Sequence, residues 1–168
     1  MTGVSTSALD RLRGEIAAPQ SITLPLPGLS LRPDPAGNYF GTWSSPRDRM
    51  MELDITAHRP GAWLGLHLPW PFADLSGFGW VGFAARCNAR SIMATRVCLR
   101  SATATGFQDH FFPLDILSTS AATDHCDLIS PRHTPGLSEK AAWRELVFFL
   151  PPAKSFRWAL QDLRLIAT

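Results

Sequence analysis

Arginines grouped around a tryptophan are the residues in this chain best suited to hold a polar ligand. Within Gly77 to Arg100 (GFGWVGFAARCNARSIMATRVCLR), Trp80, Arg86, Arg96 and Arg100 stand at even-numbered separations, and Asp109 and His110 follow on the next apolar run. An indole offers a flat apolar face to the C–H side of a sugar ring, while Arg, Asp and His hydrogen-bond its hydroxyls. Several guanidinium forks favour an acidic or phosphorylated partner. Trp80, Arg86, Arg96, Arg100, Asp109 and His110 are therefore the candidate ligand-binding set. The competing reading is a solvated sheet face, or one covered by the N-terminal segment.

Two other constellations invite chemistry and fall short of it. Asp54, His58, Trp63 and His67 form the outward set of an earlier pair of runs, and two imidazoles with a carboxylate suit zinc, copper or nickel. The paired His-rich motif of a cupin is absent, so solvated or structural histidines are the simpler account. Asp109, His110, His125, Asp127 and His133 supply the residue types of a nucleophile triad, but no GxSxG elbow accompanies them. An enzymatic reading would need Asp109 and His110 as a buried, mutually shifted pair in a deep cleft. No residue is assigned a catalytic role. Trp43, Trp70, Trp143 and Trp158 read as core or rim residues, with Trp70, between two prolines, open to exposure.

The elements that must position these residues are strands. Successive side chains on a strand point to opposite faces, so a period of two separates core from surface. Val81, Phe83, Ala85 and Cys87 share one face, as do Met93, Val97 and Leu99. The two runs read as neighbouring strands of one sheet, joined at Asn88-Ala89-Arg90. Met51, Leu53, Ile55 and Ala57 alternate in the same way, and Leu64, Leu66 and Leu68 answer them across Arg59-Pro60-Gly61-Ala62, which reads as a hairpin. Further runs cover Ser21 to Leu31, Phe107 to Leu117, His125 to Ile129, Trp143 to Leu150 and Phe156 to Ile166. Trp143 to Leu150 is apolar on both faces in its second half and predicts a central, covered strand. A helix is predicted only over Ser5 to Ala18, capped by Ser7, striped by Leu9, Leu12 and Ile16, and stopped by Pro19.

Composition sets the outer bounds. A chain of 168 residues with 45% hydrophobic content can fill the core of one domain. Sixteen basic against fourteen acidic residues leave a net charge of +2, which gives no argument for nucleic acid. Three cysteines without CxxC spacing indicate neither a disulfide framework nor a zinc site. No apolar run reaches signal-peptide or membrane-spanning length, so a cytoplasmic protein without membrane partners is expected. Roughly nine or ten short strands with no helix between them predict an all-β antiparallel β-sandwich, of which a jelly roll is the expected version. The expected organisation is an N-terminal helical segment over residues 1–19 and a β-sandwich domain over 20–168.

The end of the chain, WRELVFFLPPAKSFRWALQDLRLIAT, is similar to the end of carbohydrate-binding modules of the galactose-binding-like jelly-roll fold. Those modules often close on a hydrophobic-Asp-Asp-hydrophobic-basic-hydrophobic strand, and Leu160-Gln161-Asp162-Leu163-Arg164-Leu165 resembles it. LDITAHRPGAWLGLHL and FADLSGFGWVGFAARC also look like early strands of such modules. The resemblance spans most of Met51 to Thr168 as pattern. It implies a non-catalytic domain that recognises a glycan or similar polar ligand through a Trp/Arg-lined sheet face. The first Asp of the closing pair often serves a structural calcium ion; Gln161 stands there in this chain, and an amide is a poorer ligand for a hard dication. No other cofactor is expected. The alternative function is a protein-interaction or assembly domain, a homo-oligomer formed through the N-terminal helix and apolar edges.

Overall fold

A computed structural model describes residues 4–7, 20–22, 29–45 and 51–168. Thirteen strands run through these residues and pair antiparallel throughout. They are β1 (Val4–Ser7), β2 (Gln20–Ser21), β3 (Ser30–Pro33), β4 (Asn38–Ser44), β5 (Met51–Arg59), β6 (Leu64–Pro69), β7 (Val81–Ala89), β8 (Met93–Thr103), β9 (Gly106–Phe111), β10 (Ile116–Ser118), β11 (Thr123–Ile129), β12 (Arg144–Leu150) and β13 (Phe156–Ala167). A seven-stranded sheet has the order β11-β7-β13-β5-β4-β2, with β1 lying beside the C-terminal half of β13. A six-stranded sheet has the order β10-β8-β12-β6-β3, with β9 beside the other half of β8. This is the all-β sandwich that the alternation predicts.

The inward faces are the ones the period of two selects. Met51, Leu53, Ile55, Val81, Phe83 and Cys87 of the seven-stranded sheet, and Leu64, Leu66, Leu68, Val97 and Leu99 of the six-stranded one, are buried. Aromatic rings lock the layers together. Phe83 stands 5.7 Å from Phe148, and Phe148 stands 6.2 Å from Trp158. The Trp158 indole N–H donates across the core to the Ser118 hydroxyl at 3.2 Å, which satisfies its polar end. β12 is central and covered as expected: it lies between β8 and β6, and Val147 is buried even on its outer side.

Two expected pairings are not formed. β7 belongs to the seven-stranded sheet and β8 to the six-stranded one, so residues 90–92 carry the chain across the sandwich instead of turning a hairpin. β5 and β6 likewise lie in opposite sheets, joined by the 59–63 crossing. The reason is geometric. A hairpin and a crossing between facing sheets demand the same inward alternation, and the turn residues suit either. The 59–63 crossing is pinned from outside. The Asp34 carboxylate accepts from the Ala62 N–H at 2.6 Å, and the Tyr39 hydroxyl accepts from the Gly61 N–H at 2.7 Å while donating to the Pro152 carbonyl. Gly61 is required by space, since a Cβ there would approach Asp34 Cβ to 2.7 Å.

The predicted N-terminal helix is corrected at its start. Ser5, Thr6 and Ser7 belong to β1, in register with Ile166, Leu165 and Arg164, so Ser7 is a strand residue and not a cap. The remainder of that helix lies outside the described residues, as does most of the Ser21–Leu31 run. The Phe107–Leu117 run breaks at Phe112-Pro113 into β9 and β10, where proline removes a ladder donor.

Candidate functional site

The division of β7 from β8 divides the predicted set. Arg86 lies on the outer face of the seven-stranded sheet, bonded to Asp124 at 2.8 Å. Trp80 sits just before β7 at one end of the sandwich and is 52% exposed. Arg96, Arg100 and Asp109 lie together on the outer face of the six-stranded sheet, since Arg100 pairs in register with Asp109 of β9. His110, one residue on, faces the other way and is buried opposite Leu99. Asp109 and His110 are thus on opposite faces of β9 and form no acid–base pair. The same division sends Asp54 and His58 to one outer face and His67 to the other. Ser130 and His133 are within 3.1 Å, but they do so inside one turn, three residues apart.

On the six-stranded sheet, the outer side chains form a charged seam flanked by rings. The Arg100 guanidinium donates both arms of its fork to Asp109, at 2.7 and 2.8 Å. Those bonds raise the Arg100 pKa above its ordinary value. Beside it in register stands Glu145 of β12, which accepts from Arg32 at 3.0 Å and contacts the His67 ring at 2.8 Å. Charges therefore alternate along the seam, Asp109, Arg100, Glu145, Arg32. His67 is 2% exposed, and burial lowers its pKa against the pull of Glu145. Cys98, outward but covered, has its thiol pKa raised by burial.

The rings take their places from the same register. Arg96 lies 4.0 Å from the centre of the Phe111 ring and Arg100 lies 3.9 Å from that of Phe107. Phe111 and Phe149 are 5.6 Å apart. Trp143, one residue before β12, is 43% exposed; its carbonyl accepts from the Ala102 N–H, which sets it level with Phe107. Cation–π contacts at such exposed sites contribute roughly 0.5–1 kcal/mol each and hold the rings in place.

Phe107, Phe111, Phe149, Trp143, Glu145 and Arg32 are additions to the predicted set. One signal for them was present: Phe107, Asp109 and Phe111 recur at two-residue spacing, the outward set of a single strand. The approach of Phe149 to Arg96 depends on the β8–β12 register, which local patterning does not specify. Gln161 donates its amide to Asn88 at 3.0 Å, and Asp162 accepts from Arg164 at 3.1 Å, so both closing-strand residues are engaged within the sheet. Among the described residues, no group of three or more His, Cys, Asp and Glu side chains is arranged to hold a metal ion.

No family model matches the chain, and no curated protein matches it in sequence. The fold has close likenesses among solved structures. A CBM4 structure superposes with a TM-score of 0.68 at 9% identity, covering 95% of this chain and 98% of its own. The family 11 carbohydrate-binding module of the Clostridium thermocellum cellulosomal cellulase Lic26A-Cel5E gives 0.60 at 11% identity, over 90% and 95% of the two chains. The CBM22-1 xylan-binding domain from Paenibacillus barcinonensis Xyn10C gives 0.58 at 13% identity, over 93% and 97%. The chain has the β-sandwich fold of carbohydrate-binding modules. At these identities the likeness is one of fold.

Proposed function

We propose that the protein is a non-catalytic glycan-binding module whose recognition surface is the outer face of the six-stranded sheet. The observation that carries this reading is the concentration of Phe107, Phe111, Phe149 and Trp143 around Arg96 and Arg100 on one sheet face. Exposed aromatics on a fixed sheet present apolar surface to sugar C–H groups, while the seam supplies both donors and acceptors to hydroxyls. Its arginines each face an acid, Arg100 with Asp109, Arg32 with Glu145 and Arg96 with Asp115 at 3.9 Å, so this face is suited to a neutral polysaccharide more than to an acidic one. The backbone of the sheet is already ordered, and little conformational entropy is lost on binding.

The test is titration of a glycan panel by calorimetry, beginning with xylan and β-1,3-1,4-mixed-linked oligosaccharides, which the names of two fold neighbours specify as their ligands. Phe111→Ala and Trp143→Ala should each weaken binding about tenfold, in line with roughly 1–3 kcal/mol for a lost ring contact. Arg86→Ala, on the opposite outer face, should leave it unchanged. Absence of binding across the panel, or equal losses from both faces, removes the reading.

A second reading is an assembly domain. It is favoured by Leu114 and Leu117, large apolar side chains just before and on the edge strand β10 that are 60% and 57% exposed. Light scattering that gives a dimer, abolished by Leu117→Asp, with no glycan bound, would establish it in place of the first.

A further inference from the structure

The depression beside Trp80 is built from two separate segments, and it differs in its charge from the depressions on the seven-stranded sheet and near β5. It encloses about 350 Å³, at the small end of the roughly 300–1,000 Å³ typical of ligand pockets. Residues 76–80 form one wall and Ser130, Arg132 and His133 the other. No carboxylate lines it. By contrast, the depression on the seven-stranded sheet contains Asp124 and Asp162 beside Arg86 and Arg164, and the one near β5 contains Asp54 beside Arg157. In the first both arginines are ion-paired, and in the second Arg157 is paired with Asp54, which leaves a carboxylate beside its other cation, Arg90. Among the described residues Arg132, like Arg59, Arg90 and Arg144, makes no ion pair with an acid, whereas Arg32, Arg86, Arg96, Arg100, Arg157 and Arg164 each have one; Arg59 and Arg144 are held instead by backbone carbonyls.

The wall that carries Trp80 is fixed through backbone alone, and the opposite wall through a backbone turn and one side-chain contact. The N–H groups of Gly79 and Trp80 both donate to the Thr168 carbonyl, at 2.6 and 3.0 Å, and the Thr168 N–H donates back to the Trp80 carbonyl at 3.0 Å. The indole is therefore presented from an anchored backbone. Opposite it, the Ser130 carbonyl accepts from the N–H groups of His133 and Thr134, and the Ser130 hydroxyl contacts His133 Nδ1. Gly77 and Gly79 meet no steric demand: a Cβ on Gly77 would have nothing within 4 Å, and one on Gly79 would find only the Thr168 carbonyl at 3.7 Å. Neither glycine has the positive φ recorded for Gly106 and Gly136. Their bare backbones leave the floor of the depression open.

We propose that this depression is a second ligand site, separate from the sheet face, and that it takes a carboxylate-bearing sugar residue. The pyranose ring lies against the Trp80 indole, and its carboxylate receives the fork of Arg132, the one cation in the lining free of an acid. Ser130 and His133 supply further polar contacts to ring hydroxyls. The inference stands apart from the sheet-face reading, because it uses none of the same residues. A carboxylate suits the site better than a neutral sugar, since a guanidinium bonded to carboxylate is stronger than one bonded to a hydroxyl.

The experiment is calorimetric titration of the whole chain with an oligogalacturonate, carried out in an Arg100→Ala/Phe111→Ala background in which the sheet face is disabled. Binding with one site per chain is expected there, at least tenfold tighter than for the matched neutral oligosaccharide and weakened by added salt. Introducing Arg132→Ala should cost at least tenfold for the acidic ligand and little for the neutral one. Gly77→Leu, whose Cβ enters open space, should block the site while leaving the thermal unfolding curve in place. Loss of acidic-ligand binding in the sheet-face background, indifference to both Arg132→Ala and Gly77→Leu, or preference for a sulfated oligosaccharide over the carboxylated one would each overturn the proposal.

Discussion

The two outer faces of the sandwich are made from the same strand geometry and differ in what stands on it. On the seven-stranded sheet, Gly82, Ala84 and Ala159 are small, and the charged residues are spent in local pairs, Arg86 with Asp124, Arg157 with Asp54 and Arg164 with Asp162. On the six-stranded sheet, the arginines lie over phenylalanine rings and the acids join them into a seam spanning several strands. Surface charge is therefore a poor guide to function in this molecule. What separates the faces is whether an ion-paired guanidinium also lies over an aromatic ring.

Bulk added to each face should have very different effects. A Cβ at Gly82 would lie 2.0 Å from the Asp127 carbonyl oxygen, a backbone atom of the paired strand, whereas a Cβ at Gly65 would meet chiefly the His67 ring, at 2.7 Å. Gly82→Ala should destabilise the protein by about 3 kcal/mol, the upper range for overpacking, and Gly65→Ala by roughly 1 kcal/mol as the ring gives way. Chemical denaturation of the two variants checks this; similar losses would erase the distinction.

Double-mutant cycles on the ion pairs sharpen it further. Arg100 and Asp109 are 12% and 20% exposed and bonded through two arms, so a coupling of about 1–2 kcal/mol is expected. Arg86 and Asp124 are 46% and 75% exposed, and their coupling should stay below about 0.5 kcal/mol.

Acidity discriminates next. Burial lowers the pKa of both His67 and His110 below the ordinary 6.5. The folded state keeps them neutral, and the unfolded chain takes up protons first as pH falls. Their contribution to stability is therefore whole above 6.5 and is lost as pH drops through and below it. Thermal unfolding from neutral downward should show this slope, and His67→Gln with His110→Gln should flatten it. An unchanged slope would place the acid sensitivity elsewhere.

The smallest effect concerns thiols. Cys98 and Cys87 are buried and burial holds both as thiols, Cys87 pushed up to about 12, while Cys126 is exposed on the seven-stranded face. A thiol reagent should modify Cys126 alone in the native protein and all three cysteines after denaturation. Ready reaction of Cys98 would mean that its cover on the six-stranded face is loose.

The core was legible in the chain because burial depends on alternation, and alternation is local. Phe83, Leu53, Leu66 and Val97 could be assigned inward from their neighbours alone. Which sheet each strand joins depends on contacts between distant segments, and there the reading of Val81–Arg100 as one hairpin fails. The failure carried into the candidate site, since Arg86 and Arg96 belong on one surface only if their strands pair. Arg96, Arg100 and Asp109 remain together, and Phe107 and Phe111 could have been added from their spacing around Asp109. Glu145, Phe149 and Arg32 enter the seam through register between strands far apart in the chain, which no local pattern encodes.

One feature of the topology bears on how the molecule is made. β13, the last strand, is the one onto which β7, β5 and β1 all pair, and Val4 meets Ala167 in register. The seven-stranded sheet has no centre until residues 156–167 have left the ribosome, so its earlier strands must wait with their ladder edges open. Such long-range closure folds slowly and exposes strands to wrong partners in the meantime. Pairing onto β13, more than any local nucleus, is the step that closes the ladder edges of this sheet.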